Sequence, residues 1–409
     1  MTGVEKLIVS ISLGRQEIEL GELVSLRKKI YFKYYPEFID RGIQISPFKM
    51  PLSDKLLSAD TEPFDGLFGV FSDSLPDGWG QLLLNRALSS RGILLSQINP
   101  MDRLAYVGLG GMGALIYRPE IGPKYDSREK LELDSIALQV NHVLEGTSSD
   151  VIEELFALGG TSGGARPKIF AGYNPGTDNL IHGSADLPDE SEDWIIKFPS
   201  SSDPIDIANI EYAYYKMALD AGIEMNQCRL FTGDSGKKYF GTKRFDRVDG
   251  QCLHLHSASG LMHDNFRLSN MDYGHLMDCA FKLENHVTAY EKVLRLAAFN
   301  IYAHNRDDHS KNFSFLMDHD GDWRLAPAYD LTFSSSSHGL HSTMIAGESK
   351  TPGRKHLLEL AKHFSMKNPN EIIDRVQDTI SNWSKYAINN GVETSSMNLI
   401  KKTILQIKD

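Results

Sequence analysis

The sequence predicts an α+β chain in which a strand-rich first part leads into a mainly helical second part. Three observations carry that expectation. Short runs with period-2 alternation, bounded by Gly or Pro, are concentrated before residue 246. Helical periodicity dominates from about residue 265 onward. Within that helical part, only the segment 303–350 breaks the pattern, and it is rich in Asp, Asn, Ser and Gly.

Taken in order, Val9-Ser10-Ile11-Ser12-Leu13 alternates and meets Gly14, which reads as a strand ending in a turn. Ile30 to Tyr35 reads as a second strand, stopped by Pro36. Pro76-Asp77-Gly78 opens a helix from Trp79 to Leu88, with 79, 82, 83 and 87 on one apolar face. Gly108-Leu-Gly-Gly-Met-Gly113 lacks the strand-to-helix context of a dinucleotide fingerprint and reads as a packing turn. Residues 119–150 are polar, with a helical pattern from Leu131 to Leu144, and form a connector.

Leu158-Gly-Gly-Thr-Ser-Gly-Gly-Ala-Arg-Pro-Lys168 is a second glycine turn, followed by the strand Ile169 to Tyr173. A polar insertion (174–193) separates it from Trp194-Ile-Ile-Lys-Phe198, where alternation puts Ile195 and Lys197 on one face and Trp194 and Ile196 on the other. A helix from Ile207 to Leu219 carries Glu211, and Tyr239 to Phe245 reads as a strand. Val287 to Ile301 reads as a helix with 287, 290, 293, 294, 297 and 301 on one buried face. It delivers the polar loop His304 to Asn312, then a strand Phe313 to Leu316, a turn at 318–322 and a return strand Trp323 to Leu325.

Composition bounds the function. Of 409 residues, 41% are hydrophobic and 24% charged, the balance of a soluble chain holding two or three domains. With 43 basic and 54 acidic residues the net charge is −11, which argues against a chain that neutralises nucleic-acid phosphates by itself. Three widely spaced cysteines (Cys228, Cys252, Cys279) form neither a disulfide framework nor a Cys-based zinc site. Residues 1–13 lack a secretory pattern, and no stretch has the roughly 18 apolar residues needed to span a bilayer. The expected location is the cytoplasm. His254 and His256 alternate in a short strand with no partner cysteines, so they read as exposed or core residues rather than ligands. Asp318, Asp320 and Asp322 imitate the start of a calcium loop, but Trp323 and Tyr329 occupy its sixth and twelfth positions, so a hairpin turn is expected. Ser334 to Gly339 reads as a flexible polar loop.

The chemistry lies in the order of the polar parts. Asp307 and Asn312 have the Asp-x-x-x-x-Asn spacing of a kinase catalytic loop, and Asp330 follows the hairpin. One carboxylate can accept a hydroxyl proton, while an amide and a second carboxylate can hold the metal ions that neutralise phosphates. Asp308 is one residue out of register, so Asp307 is the expected base. Upstream, the glycine turn can cover phosphates with backbone N–H groups, Lys197 can pair with phosphate oxygens, and Glu211 can orient it.

Gly-Gly-Ala-Arg-Pro-Lys (163–168), Trp-Ile-Ile-Lys (194–197), Lys-Arg-Phe-Asp-Arg (243–247), Asp-Asp-His-Ser-Lys-Asn-Phe-Ser (307–314) and Ala-Tyr-Asp-Leu (328–331) make the chain resemble HipA-type serine/threonine kinases, the toxins of bacterial toxin–antitoxin modules. The segment Phe64 to Gly80 extends the resemblance into the N-terminal part. It implies a two-lobed protein-kinase-like fold: an N-terminal HipA-type subdomain at 1–118, a nucleotide-binding N-lobe with the Gly-rich loop at 119–246, and a helical C-lobe with the catalytic loop at 247–409. It implies ATP held by Gly163, Gly164, Ala165, Arg166, Pro167 and Lys168, by Lys197, by Lys243, Arg244 and Phe245 between the lobes, and by His309, Ser310, Lys311, Asn312, Tyr329 and Asp330. Asp307 is then the catalytic base, with Asn312 and Asp330 on Mg²⁺.

The resemblance further implies a protein substrate such as an aminoacyl-tRNA synthetase, growth arrest, and a small DNA-binding HipB-like antitoxin through which alone DNA is contacted. Autophosphorylation in the glycine loop would fall on Thr161 or Ser162. The chain departs from ordinary protein kinases in three places: the loop is not Gly-x-Gly-x-x-Gly, Asn305 stands two before Asp307 in place of His, and Leu331-Thr332 follows Asp330 in place of Phe-Gly. Two other readings compete, a catalytically silent binding module and a small-molecule phosphotransferase. The intact Lys197, Asp307, Asn312 and Asp330 count against the first, and the N-terminal part counts against the second.

Overall fold

A computed structural model describes residues 3–27, 29–122, 130–146, 151–183, 187–336 and 339–407. Residues 123–129 and 147–150 of the connector lie outside these, as do Ser337 and His338 of the expected polar loop. The chain forms two compact units. One gathers residues up to Asp203 together with Phe231–His256 and Leu316–Gly321; the other gathers Pro204–Leu230, Ser257–Phe315 and Asp322 onward.

The first unit contains two five-stranded sheets. In the first sheet the order is β4-β3-β2-β1-β5, with β1 Lys6–Leu13, β2 Gln16–Leu26, β3 Lys29–Tyr34, β4 Leu57–Ser58 and β5 Leu115–Arg118. Both strands expected here, near 9–13 and 30–35, are present. Pro36 ends the second by opening a short helix, Pro36–Ile39, where a missing N–H is harmless. The expected helix after Pro76 spans Gly78–Ser90 and buries Trp79, Leu83, Leu84, Ala87 and Leu88. Leu82, placed on the same face by periodicity, packs at the edge of that core, only partly buried.

The second sheet runs β7-β6-β8-β10-β9, with β6 Lys168–Asn174, β7 Asn179–His182, β8 Glu192–Lys197, β9 Cys228–Thr232 and β10 Lys238–Lys243. In β8, Trp194 and Ile196 are fully buried while Ile195 and Lys197 are half-exposed, as period-2 alternation requires. The buried face packs with Leu155, Phe156 and Leu158 of the helix Ile152–Gly159 and with Val140 and Val143 of Leu133–Glu145.

The second unit is mainly helical. Its core joins Ile207–Asp220, Tyr273–Glu284, Thr288–Tyr302, Arg354–His363, Pro369–Ser381 and Trp383–Asn389. Thr288–Tyr302 is its centre. The expectation of a single apolar face holds only for the first turns, because Leu296 to Tyr302 are all buried. Val287 lies before the helix and is 61% exposed, so it does not belong to the buried face. Among the described residues, no helix is long and apolar enough to cross a membrane.

Candidate active site

In the first unit the glycine turn follows directly from the helix Ile152–Gly159. Gly163 and Gly164 have φ of +67° and +78°, a conformation that any Cβ would strain. The Ser162 hydroxyl turns back to the Gly159 carbonyl at 2.6 Å, and Ser162 is only 8% exposed. Thr161 is half-exposed and donates to the Gly110 carbonyl. Ala165 is exposed, and the Pro167 carbonyl accepts the N–H of Phe198 at 2.8 Å.

The turn is gripped from the N-terminal part of the same unit. The Asp77 carboxylate accepts the N–H of Gly164, and the N–H of Trp79 donates to the Gly164 carbonyl at 3.1 Å. Neither Gly78 nor Gly80 has room for a Cβ: it would meet the Ala165 Cα at 2.5 Å and the Gly160 carbonyl oxygen at 1.9 Å respectively. Asp77, Gly78 and Gly80 had no functional assignment from sequence. The detectable signal was the pair of glycines flanking Trp79 at a helix start.

The cations of this unit are already oriented. Lys168, 6% exposed, donates its Nζ to the Gly163 carbonyl at 2.7 Å. Lys197 lies directly across the β6–β8 ladder from Lys168, with Nζ 5.4 Å from the Phe240 ring centroid. Arg166 pairs with Asp203 at 3.0 Å, and Lys243 pairs with Glu192 at 2.8 Å. Arg244 is buried, lies over the Phe170 ring at 4.3 Å and bonds Asp246 through two nitrogens. Phe245 is half-buried beside it. Burial alone would raise the Asp246 carboxyl, but Arg244 and Arg247 outweigh it and hold that group well below the usual carboxylate range. Asp246 also accepts the Gly113 N–H at 2.7 Å, and Arg247 reaches the Gly111 and Gly113 carbonyls. The first glycine cluster thus serves packing.

In the second unit, the helix Thr288–Tyr302 ends at Ala303 and His304 turns left-handed at φ +55°. The loop that follows separates the two adjacent acids. The Asp307 side chain is 61% exposed. Asp308 is 1% exposed and accepts from Tyr273 Oη at 3.0 Å and from the N–H of Ser342 at 2.8 Å, with His341 Nδ1 at 3.0 Å. Thr343 also donates its hydroxyl to the Asp308 carbonyl. Asp308 is therefore an anchor, and Asp307 is the carboxylate left facing solvent. His309 places Nε2 3.9 Å from Asp307, and Ser310, fully buried, donates to Asp264.

Asn312 closes the loop by donating its amide nitrogen to the Asp307 carbonyl at 2.6 Å. The half-buried Tyr329 ties the next segment to it: its hydroxyl donates to the Lys311 carbonyl and lies 2.6 Å from the Ser314 hydroxyl. Asp330 follows at φ +53°, a left-handed conformation that Asp tolerates better than most residues. A small pocket, partly open to solvent, is lined here by Asn305, Asp308, Asn312, Ser314, Tyr329 and Leu331, among others. Within this unit, the chain around Asp307, Asn312 and Asp330 is thus brought together. Glu211 belongs to the same unit and is 4% exposed in the helix Ile207–Asp220.

A family model described as the HipA-like C-terminal domain matches residues 160–383, more than half of the chain and starting at the second glycine turn. The chain belongs to the HipA family. A second model, the HipA N-terminal domain, matches residues 12–118 of this HipA-family chain. Among solved structures, HipA of the Shewanella oneidensis MR-1 toxin–antitoxin system, in complex with HipB and operator DNA, is similar with a TM-score of 0.69 and 17% identity. That likeness covers 98% of this chain and 96% of the Shewanella chain, and at such identity it speaks to the fold: this chain has the α+β architecture of HipA. The Helicobacter pylori proinflammatory kinase CtkA is similar over 53% of this chain and 91% of its own, at 13% identity and a TM-score of 0.32, too slight a likeness to carry weight. No curated protein matches the sequence.

Proposed function

We propose that this HipA-family chain is an ATP- and Mg²⁺-dependent serine/threonine protein kinase on a two-lobed kinase-like scaffold, acting as the toxin of a toxin–antitoxin module. The observation that carries the reading is the division of labour at the catalytic loop. Asp308 is buried and fully engaged, whereas Asp307 is exposed on a backbone clamped by Asn312. A general base must reach the proton it removes, and an exposed carboxylate on a rigid loop satisfies that requirement.

The donor set also fits magnesium. With its amide nitrogen on the Asp307 carbonyl, Asn312 keeps its side-chain oxygen as a ligand, and Asp330 supplies a carboxylate. Magnesium sites in phosphotransferases use one or two protein oxygens and complete the shell with water and phosphate. When bound, the ion would neutralise phosphate charge. Asp307 accepts the proton of the substrate hydroxyl, Lys197 and the 163–168 loop orient the phosphates, and Lys243, Arg244, Phe245, His309 to Asn312 and Tyr329 complete the ATP site.

The substrate class is a protein of the translation apparatus such as an aminoacyl-tRNA synthetase, whose modification arrests growth. A HipB-like antitoxin is the expected partner, as the Shewanella HipA complex supports, with DNA reached only through it. The expected setting is the cytoplasm. Self-modification falls on the half-exposed Thr161 in preference to buried Ser162.

The test is incubation of the intact chain with labelled ATP and Mg²⁺ beside Asp307→Gln. Label in the native protein and none in the variant is expected. Equal labelling of both, or of neither, removes Asp307 from its role. Phosphopeptide mapping should place self-label at Thr161, and label found only elsewhere refutes that site.

A further inference from the structure

Next to the catalytic loop stands a short segment with no assigned part in the reaction. It begins where the helix Ala258–Met262 ends at His263, in a left-handed conformation. Asp264 fastens it to the loop by accepting the Ser310 hydroxyl. The Phe266 ring then lies against two side chains of the loop, with its centroid 5.5 Å from the His309 ring and 4.9 Å from Lys311 Nζ. Arg267 covers the same ring, its guanidinium carbon 5.0 Å from the centroid. His309 in turn stands 3.9 Å from the Asp307 carboxylate, so a single imidazole separates this platform from the expected base.

The outward side of the platform is left open. Arg267 is exposed and has no carboxylate partner among the described residues, and Leu268 is 78% exposed. An exposed leucine alone means little. An aromatic ring with an arginine laid over it combines two residue types enriched at protein interfaces, and the leucine beside them adds apolar surface. A guanidinium already held by a ring loses less freedom on meeting a carboxylate and can bind it through two nitrogens.

We infer that Phe266, Arg267 and Leu268 form the docking point for the acceptor polypeptide and select a segment with an acidic residue near the phosphorylated serine or threonine. The inference rests on the kinase reading and gives that site its substrate specificity. Phe266 is the floor, Arg267 binds the acidic side chain, and Leu268 meets an apolar neighbour. The contacts leading from Arg267 through Phe266 and His309 to Asp307 span roughly 15 Å, and an extended chain advances about 3.4 Å per residue, so the acidic residue falls within about four positions of the acceptor.

A library of serine- and threonine-containing peptides with one varied position, offered to the intact chain with ATP and Mg²⁺, tests this. The native chain should favour Asp or Glu within about four positions of the acceptor. Arg267→Glu should lower kcat/KM for the best acidic peptide about tenfold, the equivalent of about 1.4 kcal/mol, and favour Lys or Arg instead, with KM for ATP unchanged. An unchanged acidic preference in the variant overturns the inference, as does a raised KM for ATP with peptide choice intact. A native chain that labels itself yet shows no acidic preference sinks the docking point and spares the kinase reading. A native chain that labels neither peptide nor itself sinks both.

Discussion

At the level of single residues, the contrast between Asp307 and Asp308 gives two opposite expectations. Asp308→Ala removes an acceptor from Tyr273 and from the Ser342 N–H inside the protein, and should destabilise the fold by about 2–4 kcal/mol, read as a lowered denaturant midpoint. Asp307→Gln should leave that midpoint unchanged while abolishing phosphate transfer. Loss of stability in the second variant and not in the first would reverse their roles. A separate residue sets a pH dependence. Burial, reinforced by the neighbouring His256, depresses His254 to about 3, and its Nε2 lies 2.9 Å from the Ile45 carbonyl, to which the neutral ring donates. The folded chain then binds fewer protons than the unfolded one between the unfolded value of about 6.5 and that depressed value. Stability should be full above pH 6.5 and fall on acidification, by up to about 1.4 kcal/mol per pH unit. Thermal melting of the native chain and His254→Asn across pH 4–8 checks this: the variant should have the shallower slope.

Among the elements, the grip of the helix start Gly78–Ser90 on the glycine turn makes a testable prediction. Gly80→Ala should be strongly destabilising, because its Cβ would meet the Gly160 carbonyl oxygen at 1.9 Å, and proteolysis should then cut within 159–167 faster than in the native chain. Unchanged digestion would show that the turn is held by other means. The elements themselves were readable where a period survives any tertiary context. Trp194 and Ile196 point into the core and Lys197 away from it because a strand alternates faces whatever lies above it. Asp77 was unreadable because its partner, Gly164, is 87 residues away and chain separation hides such contacts. The two acids at 307 and 308 look alike in sequence, and only the burial of Tyr273, His341 and Thr343 around one of them distinguishes the pair. Central helices blur the signal for a different reason: Leu296 to Tyr302 are buried on every side, so a one-faced pattern understates them.

For the molecule as a whole, a net charge of −11 predicts that the isolated chain does not retard duplex DNA in a gel shift, and that retardation appears only when a basic HipB-like partner is added. Tight binding by the chain alone would contradict the division of labour proposed for the module. The two compact units are also interleaved along the sequence, since the first takes up Phe231–His256 and Leu316–Gly321 after the second has begun. A ribosome must therefore deliver residue 321 before the first unit has all its parts, while Asp322–Asp409 of the second unit is still to be made. A nascent chain of this design keeps its first unit open until residue 321 has emerged, so anything that binds the closed unit meets it only late in translation.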